Sequence, residues 1–259
     1  MNGLTHVALD GAALQFGAYS ALQNLSFRVP RGQFVALVGP TGCGKSSVLN
    51  LIAGLLKPSG GLVSIDGRPL KGINQDAAYM FQQDALLPWK TALENVMLGP
   101  AIRGVRKIEA TKDARLWLER VGLRGFEDRF PSQLSGGQRK RVAMAQSLVN
   151  RLPILLMDES FSALDVQTRS LMEDKLLDLW QDLGATVLFV THDLEEAIAM
   201  SDRVLLFTAG PAAKVKCDYA VGLPRPRKVS EARFIPGFAE IYEALWRNLK
   251  EEVMAAYAQ

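Results

Sequence analysis

The sequence predicts an α/β domain on a mainly parallel sheet, with an all-helical segment inserted between two of its strands. Three observations carry that expectation. Short apolar runs of four or five residues alternate with stretches of helical period. Two runs end in groups suited to phosphate chemistry: Gly39-Pro40-Thr41-Gly42-Cys43-Gly44-Lys45-Ser46 follows one, and Asp158-Glu159 closes another. Between them, residues from about 91 to 150 keep a mostly helical period.

The elements follow in chain order. Residues 7–29 read as two or three short strands broken by turns: Val7-Ala8-Leu9, a segment ending at Phe16, and 25–29. Phe16 precedes Gly17, and an aromatic there either stacks on a nucleobase or packs in the core; the residues leave both open. Phe34-Val35-Ala36-Leu37-Val38 is a buried strand, and Val48, Leu49, Leu51, Ile52 and Leu55 recur on one side of a helix after the glycines. Residues 62–65, flanked by Gly60-Gly61 and Asp66-Gly67, form a hairpin element. Ala77-Ala78-Tyr79-Met80-Phe81 is another buried strand and runs into Gln82. Pro88, Pro100 and Gly104 then break the pattern, and 108–121 is helical with Ala114, Leu116, Trp117, Leu118 and Val121. Ile154-Leu155-Leu156-Met157 restores the sheet. An amphipathic helix over 168–183, a strand over 187–190 ending at Thr191-His192-Asp193, a helix over Leu194–Met200 and a strand over 204–207 complete the core. A basic, proline-containing segment, Leu223-Pro224-Arg225-Pro226-Arg227, leads to a final helix over Phe238–Tyr257 with Ile241, Leu245 and Leu249 four apart.

Strand, glycine loop and helix together are the context that G-x-x-x-x-G-K-[ST] needs. Small residues let successive N–H groups turn inward around phosphate oxygens, and the helix N-terminus adds its dipole. Lys45 then bridges the β- and γ-phosphates, Ser46 ligates magnesium, and Ser47 completes the nucleotide-binding run. Asp158 ends a strand at the edge where open α/β sheets bind ligands, and it holds magnesium through water. Glu159 comes next and, by strand alternation, points elsewhere; it is a candidate general base for the attacking water.

Leu134-Ser135-Gly136-Gly137-Gln138, followed by Arg139-Lys140-Arg141, resembles the ATP-binding-cassette ATPases, whose signature is LSGGQ. The resemblance covers nearly the whole chain. The Walker A loop at 39–46, a glutamine loop at Gln82, the signature at 134–138, Walker B at 154–159, a D-loop Ser162-Ala163-Leu164-Asp165 and a switch histidine His192 occur in family order. It implies a RecA-like P-loop NTPase core over about 1–87 and 151–222, with an N-terminal antiparallel β subdomain. It further implies a helical signature subdomain over about 88–150 and a tail with a C-terminal helix over about 223–259. Phe16 occupies the position of the family's adenine-stacking aromatic, His192 that of its γ-phosphate contact, and Gln82 that of its magnesium- and water-sensing residue. Two chains pair head to tail in this family, so Ser135, Gly136, Gly137, Gln138 and Asp165 serve the nucleotide held by the other chain. Where the family usually has proline after the Walker B glutamate, this chain has Ser160, expected to leave that link freer without removing a catalytic atom.

Residues 82–89, Gln-Gln-Asp-Ala-Leu-Leu-Pro-Trp, together with 223–227, look like the ATPases of bacterial importers for nitrate, taurine, alkanesulfonates and thiamine precursors. That resemblance implies a homodimer on two permease subunits with an external solute-binding protein, located in the cytoplasm at the inner face of the membrane. Residues 85–89 then offer a docking site for a permease helix, with packing inside the insertion as the alternative. A non-transport cassette acting on nucleic acid or ribosomes is the other class. It calls for sustained heptads or a second P-loop, and neither is present. No N-K-x-D guanine motif accompanies the glycine loop, which sets a GTPase aside.

Bulk properties agree. The 259 residues are 48% hydrophobic and 22% charged with a net charge of +3, too small to argue for nucleic acid or an anionic surface. The start, Met1-Asn2-Gly3-Leu4, reads as no secretory signal, and the longest apolar runs, such as 48–56, fall well short of the ~20 residues a membrane span needs. Cys43 and Cys217 are in no metal-ligand spacing. Cys43 sits two residues before Lys45 at a helix N-terminus, which favours a reactive thiolate unless its sulfur turns into the core; the sequence leaves that open.

Overall fold

The computed structural model describes residues 4–162 and 164–257. Strands β1 (Thr5–Phe16) and β2 (Tyr19–Pro30) form a hairpin longer than the sequence suggests. Bulging is the cause. The register shifts between Leu9 and Ala12 and again before Leu14, with Gly11 and Asn24 at positive φ, so the apolar alternation breaks while the ladder continues. β4 (Gly60–Ile65) pairs antiparallel with β1, and β5 (Arg68–Pro69) adds to β4, giving the sheet order β2-β1-β4-β5.

The second sheet contains β3 (Phe34–Val38), β6 (Ala77–Met80), β7 (Ile154–Asp158), β8 (Thr186–Val190), β9 (Arg203–Phe207) and β10 (Val215–Ala220), in the order β10-β9-β3-β8-β7-β6. All neighbours are parallel except β10, which runs antiparallel on β9. The sequence reading misses β10. Its Val-Lys-Cys-Asp-Tyr-Ala has no apolar run, because an edge strand leaves much of its surface to water. The C-terminal ends of β3, β8, β7 and β6 lie side by side, and that row of strand ends is the edge that carries the candidate site.

Every residue of β3 is buried, and pleating sends its side chains to two separate cores. Val35 and Leu37 meet helix α1 (Lys45–Ala53) through Val48, Leu49 and Ile52, together with Leu9 and Leu22 of the antiparallel sheet. Phe34, Ala36 and Val38 face the other core, which contains Met157 and Phe189 and reaches into the segment between β6 and β7. That segment is α2 (Ala92–Val96), α3 (Leu98–Ile102), α4 (Lys107–Arg120) and α5 (Gly136–Leu148). Trp117 of α4 is fully buried there, and the buried Asn95 amide donates to the carbonyls of Leu87, Lys90 and Thr91, fixing the approach to α2.

Helix α6 (Val166–Leu183) begins earlier than the apolar period suggests because Asp165 caps it, accepting from the Thr168 N–H at 3.0 Å. After α7 (Leu194–Met200) the proline-containing segment is not a solvated tail. Arg227, 8% exposed, donates to the carbonyls of Ile198, Ala199, Ser201 and Leu223. Arg225 donates to the Met200 carbonyl and Asp202 and stacks over Trp180 at 4.4 Å. The two guanidiniums satisfy the carbonyls at the end of α7. Burial, with Arg225 alongside, pushes Arg227 down to about 10. A short helix, α8 (Val229–Ala232), and the long α9 (Phe238–Tyr257) end the chain. Among the described residues no helix is long and apolar enough to cross a membrane.

Candidate functional site

The glycine loop turns from β3 into α1 through backbone that only glycine adopts easily. Gly42 has φ 79° and Gly44 φ 94°, and a Cβ on Gly44 would come 2.9 Å from the Leu22 side chain. Gly44 is also the N-cap of α1 and brings no capping side chain, so the first N–H groups of the helix are left to a ligand. Lys45 is held inside the loop: its ammonium donates to the carbonyls of Gly39 at 2.8 Å and Pro40 at 2.9 Å. Ser47 is half-buried behind Ser46.

Ser46 reaches across to β7, and its hydroxyl donates to Asp158 Oδ1 at 2.9 Å. Tyr79 of β6 donates to Oδ2 of the same carboxylate at 3.4 Å. Burial pushes the Asp158 carboxyl up, the Ser46 bond opposes that, and the neighbouring Glu159 charge adds to the rise. A hydroxyl and a carboxylate converging on one point form a hard oxygen donor set of the kind that holds a divalent cation together with phosphate oxygens and water. Three or more acidic, histidine or cysteine side chains are nowhere grouped to hold a metal alone among the described residues.

Glu159 has φ 43°, a left-handed turn that aims its side chain away from Asp158. There it meets the ends of the two flanking strands. Gln82 Nε2 donates to Glu159 Oε2 at 3.1 Å, and His192 Nδ1 lies 3.8 Å from the same oxygen. Gln82, Glu159 and His192, named separately from sequence, thus form one cluster.

Ser160 corrects an expectation. It is 1% exposed, and its hydroxyl donates to the Met80 carbonyl at 3.1 Å, which fastens the link after β7 to the end of β6. Serine at this position therefore replaces proline's stiffness with a hydrogen bond. Cys43 closes an open question. Its side chain is buried, and loss of solvent pushes the thiol up, outweighing Lys45 Nζ at 3.8 Å, which favours the inward-turned thiol over the reactive thiolate. Phe16 stands half exposed at the hairpin tip, paired across it with Tyr19, equally exposed. Tyr19 is an aromatic the sequence reading passed over; a Cβ on Gly210 would meet its hydroxyl at 3.4 Å and the Gly42 carbonyl at 3.7 Å.

The signature forms a second cluster. Ser135 caps α5: its hydroxyl accepts from the Gln138 N–H at 3.3 Å, while Gln138 Oε1 accepts from the Ser135 N–H at 2.9 Å. Ser135, Gly136, Gly137 and Gln138 line a groove of about 600 Å³ together with Leu164, Asp165 and Thr168. No hydrogen bond joins residues 135–138 to the loop 39–46 among the described residues. Ala163 of the D-loop lies outside the described residues.

One side chain links the two clusters. Lys140 of α5, 3% exposed, donates to the carbonyls of Phe81 at 3.2 Å and Gln82 at 2.9 Å, with Asp84 at 3.4 Å. Its spacing was a usable signal: Lys140, Met144 and Leu148 are four apart and all buried.

Known proteins share this architecture. The family profile described as ABC transporter matches residues 22–162. The aliphatic sulfonates import ATP-binding protein SsuB of Escherichia coli (strain K12) is 41% identical over 252 residues, covering 97% of this chain and 95% of that protein. An uncharacterized ABC transporter ATP-binding protein of Methanocaldococcus jannaschii, MJ0412, is 43% identical over 234 residues, covering 90% of this chain and 86% of that protein. Among solved structures, the dimeric post-hydrolysis state of the ATP-binding cassette MJ0796 bound to ADP and Pi superposes with a TM-score of 0.73 at 33% identity, covering 83% of this chain and 98% of that one. The cassette cbiO1 from Clostridium perfringens, part of the transporter complex cbiONQ, gives 0.75 at 25% identity, covering 84% and 89%. A nucleotide loop, a carboxylate at the adjoining strand end and a capped glycine signature, on a chain so closely related to these, have one reading: the protein belongs to the ABC transporter family and is an ATP-binding, ATP-hydrolysing cassette of it.

Proposed function

We propose that two copies of this chain pair head to tail around ATP and drive a membrane importer from its cytoplasmic side. The separation of the two clusters carries this reading. The strand-edge cluster has phosphate-binding N–H groups, the Ser46–Asp158 oxygens and the Gln82–Glu159–His192 group, but no second anion nest. The capped N-terminus of α5 supplies such a nest on a different face, so a second copy in antiparallel orientation completes each site.

In the assembled site Lys45 bridges the β- and γ-phosphates, the N–H groups of residues 42–46 line the loop, and Phe16 stacks on adenine. The Ser46 hydroxyl and Asp158 carboxylate fit magnesium, which when bound neutralises charge on the phosphates. Gln82 senses the ion and its water. Glu159 takes a proton from the attacking water as general base, and His192 donates to the γ-phosphate. Ser135, Gly136, Gly137, Gln138 and Asp165 meet the γ-phosphate and the interface from the partner.

The import reading draws on the related proteins named for aliphatic sulfonate import. The solute class is that group's: nitrate, taurine, an alkanesulfonate or a thiamine precursor, contacted by a solute-binding protein and the permease. An apolar groove of about 570 Å³ is lined by Leu93, Met97, Leu98, Ala101 and Val105 together with Lys90, the residue that follows the 70% exposed Trp89. A short permease helix docks there, with Trp89 as its anchor.

Mixing two inactive variants tests the pairing. Lys45→Ala and Ser135→Arg homodimers each lack both sites, whereas a mixed dimer keeps one intact site. Equimolar mixing therefore restores roughly a quarter of wild-type turnover, because about half of the dimers are mixed and each has one of two sites. A Ser135→Arg homodimer that hydrolyses at the wild-type rate, or a mixture that stays inactive, contradicts the arrangement.

A further inference from the structure

Helix α7 starts immediately after the His192 loop and is anchored at its far end by Arg225 and Arg227. Its Glu196 is 8% exposed and faces Glu173 of α6, which is 2% exposed. The two carboxyls lie within hydrogen-bonding reach of each other, and buried like charges in contact cannot both be ionised. Three other groups face the pair. Arg169 approaches from α6, Asp193 from the N-cap of α7, and the Thr191 hydroxyl from the end of β8.

Contacts of two kinds flank the pair: hydrogen bonds on the Thr191 side and a facing charge on the Arg169 side. Arg169 donates to the carbonyls of Ser162 at 3.1 Å and Leu164 at 3.2 Å, on the turn that precedes α6. Its charge acts on both buried carboxyls. The Thr191 hydroxyl donates to Glu196 Oε2 and accepts from the Asp193 N–H at 3.0 Å. The Thr191 N–H donates to the Leu37 carbonyl of β3 at 3.3 Å. His192 lies between Thr191 and Asp193, so these hydrogen bonds set the backbone on which the imidazole stands.

We propose that Glu173 and Glu196 are positioning residues for His192, bracing the Thr191–Asp193 turn from behind, with the Arg169 charge facing them from α6. The inference rests on His192 meeting the γ-phosphate. Burial, then the Glu196 contact, pushes Glu173 up to about 9. Glu196 is raised by burial but held down by its bonds to Glu173 and Thr191. At neutral pH the pair holds a shared proton, while Glu196 Oε2 takes the Thr191 hydroxyl. As pH rises through about 9 that proton is lost, the two carboxylates repel, and the turn loosens.

The test is the ATPase pH profile of the full chain. Glu173→Gln keeps a donor without titrating, so it should hold kcat at neutral pH within about twofold and flatten the alkaline fall of the wild type. Glu173→Leu removes the donor and should lower kcat about tenfold or more with the ATP KM little changed, an effect absent in a His192→Ala background. Stability supplies a second readout. A raised folded pKa gives a contribution fully present below the free value of 4.5 and lost as pH rises through about 9. The melting temperature of Glu173→Gln should therefore gain on the wild type as pH rises across that window. A Glu173→Gln profile with the wild-type alkaline limb overturns the inference even where His192→Ala is inactive. A His192→Ala chain with full turnover overturns the reading of His192 itself, and the inference with it.

Discussion

Replacing Lys140 by methionine removes the ammonium that ties the signature helix to the glutamine loop while keeping the stem that fills the core. Two charge-assisted bonds are lost, to Phe81 and Gln82, each of a kind that contributes about 1.5–3 kcal/mol. Three features pull the sum towards its lower end. Both carbonyls belong to exposed residues and can take water, Asp84 keeps Arg139 at 3.5 Å, and burial already holds the Lys140 amine below its ordinary range. A net loss of about 3 kcal/mol remains, which at about 2–4 °C per kcal/mol lowers the melting temperature by roughly 6–12 °C. Gln82 loses its backbone tether, so its contact with Glu159 is populated less and kcat falls with it. Thermal unfolding and steady-state ATP hydrolysis measure the two effects, with Arg139→Met as the control for charge on the same helix. A Lys140→Met chain that melts within about 1 °C of wild type and hydrolyses ATP normally would refute the reasoning.

Cys43 should resist alkylation in the native protein: at neutral pH a thiol reagent modifies the partly exposed Cys217 and leaves ATPase activity intact, and peptide mapping that finds Cys43 labelled, with MgATP protecting, would reverse that account. Phe16→Ala should raise the ATP KM by roughly 5–150-fold, the range that loss of about 1–3 kcal/mol of base stacking gives, with kcat held. Tyr19→Ala in parallel identifies which aromatic adenine uses; a KM change in Tyr19→Ala alone moves the base to that ring. Trp89→Ala should fold and hydrolyse ATP but fail to copurify with its permease, and a variant that still assembles removes Trp89 as the anchor.

The parts of this molecule that follow a short-range rule were legible in the sequence. The five-residue apolar β3 with the glycines behind it, the buried β7 ending in Asp158, and the helical segment between β6 and β7 could all be read from period and punctuation. The hairpin β1–β2 was read as fragments because bulges at Gly11 and Asn24 move residues across the pleat without ending the ladder. β10 carries no apolar signal because it is an edge strand. In the site, the places of Lys45, Ser46, Asp158 and Glu159 at the strand ends were legible since they follow from spacing. What tertiary contact decides was not: the sulfur of Cys43 turned inward, Ser160 bonded to Met80, the Glu173–Glu196 pair, and Arg225 and Arg227 closing α7. Polar residues in a charged-looking segment give no sign in sequence that a partner far along the chain will bury them.

Glu159→Gln bears most directly on the proposed composite ATPase site. The substitution keeps the shape and the contact with Gln82 but removes the carboxylate proposed to take the proton from water. The account predicts unchanged ATP affinity, hydrolysis slowed by roughly 10²–10⁴-fold, and a stable dimer that forms on size-exclusion chromatography only when ATP is present. Hydrolysis near the wild-type rate, or an ATP-bound protein that stays monomeric, would contradict it.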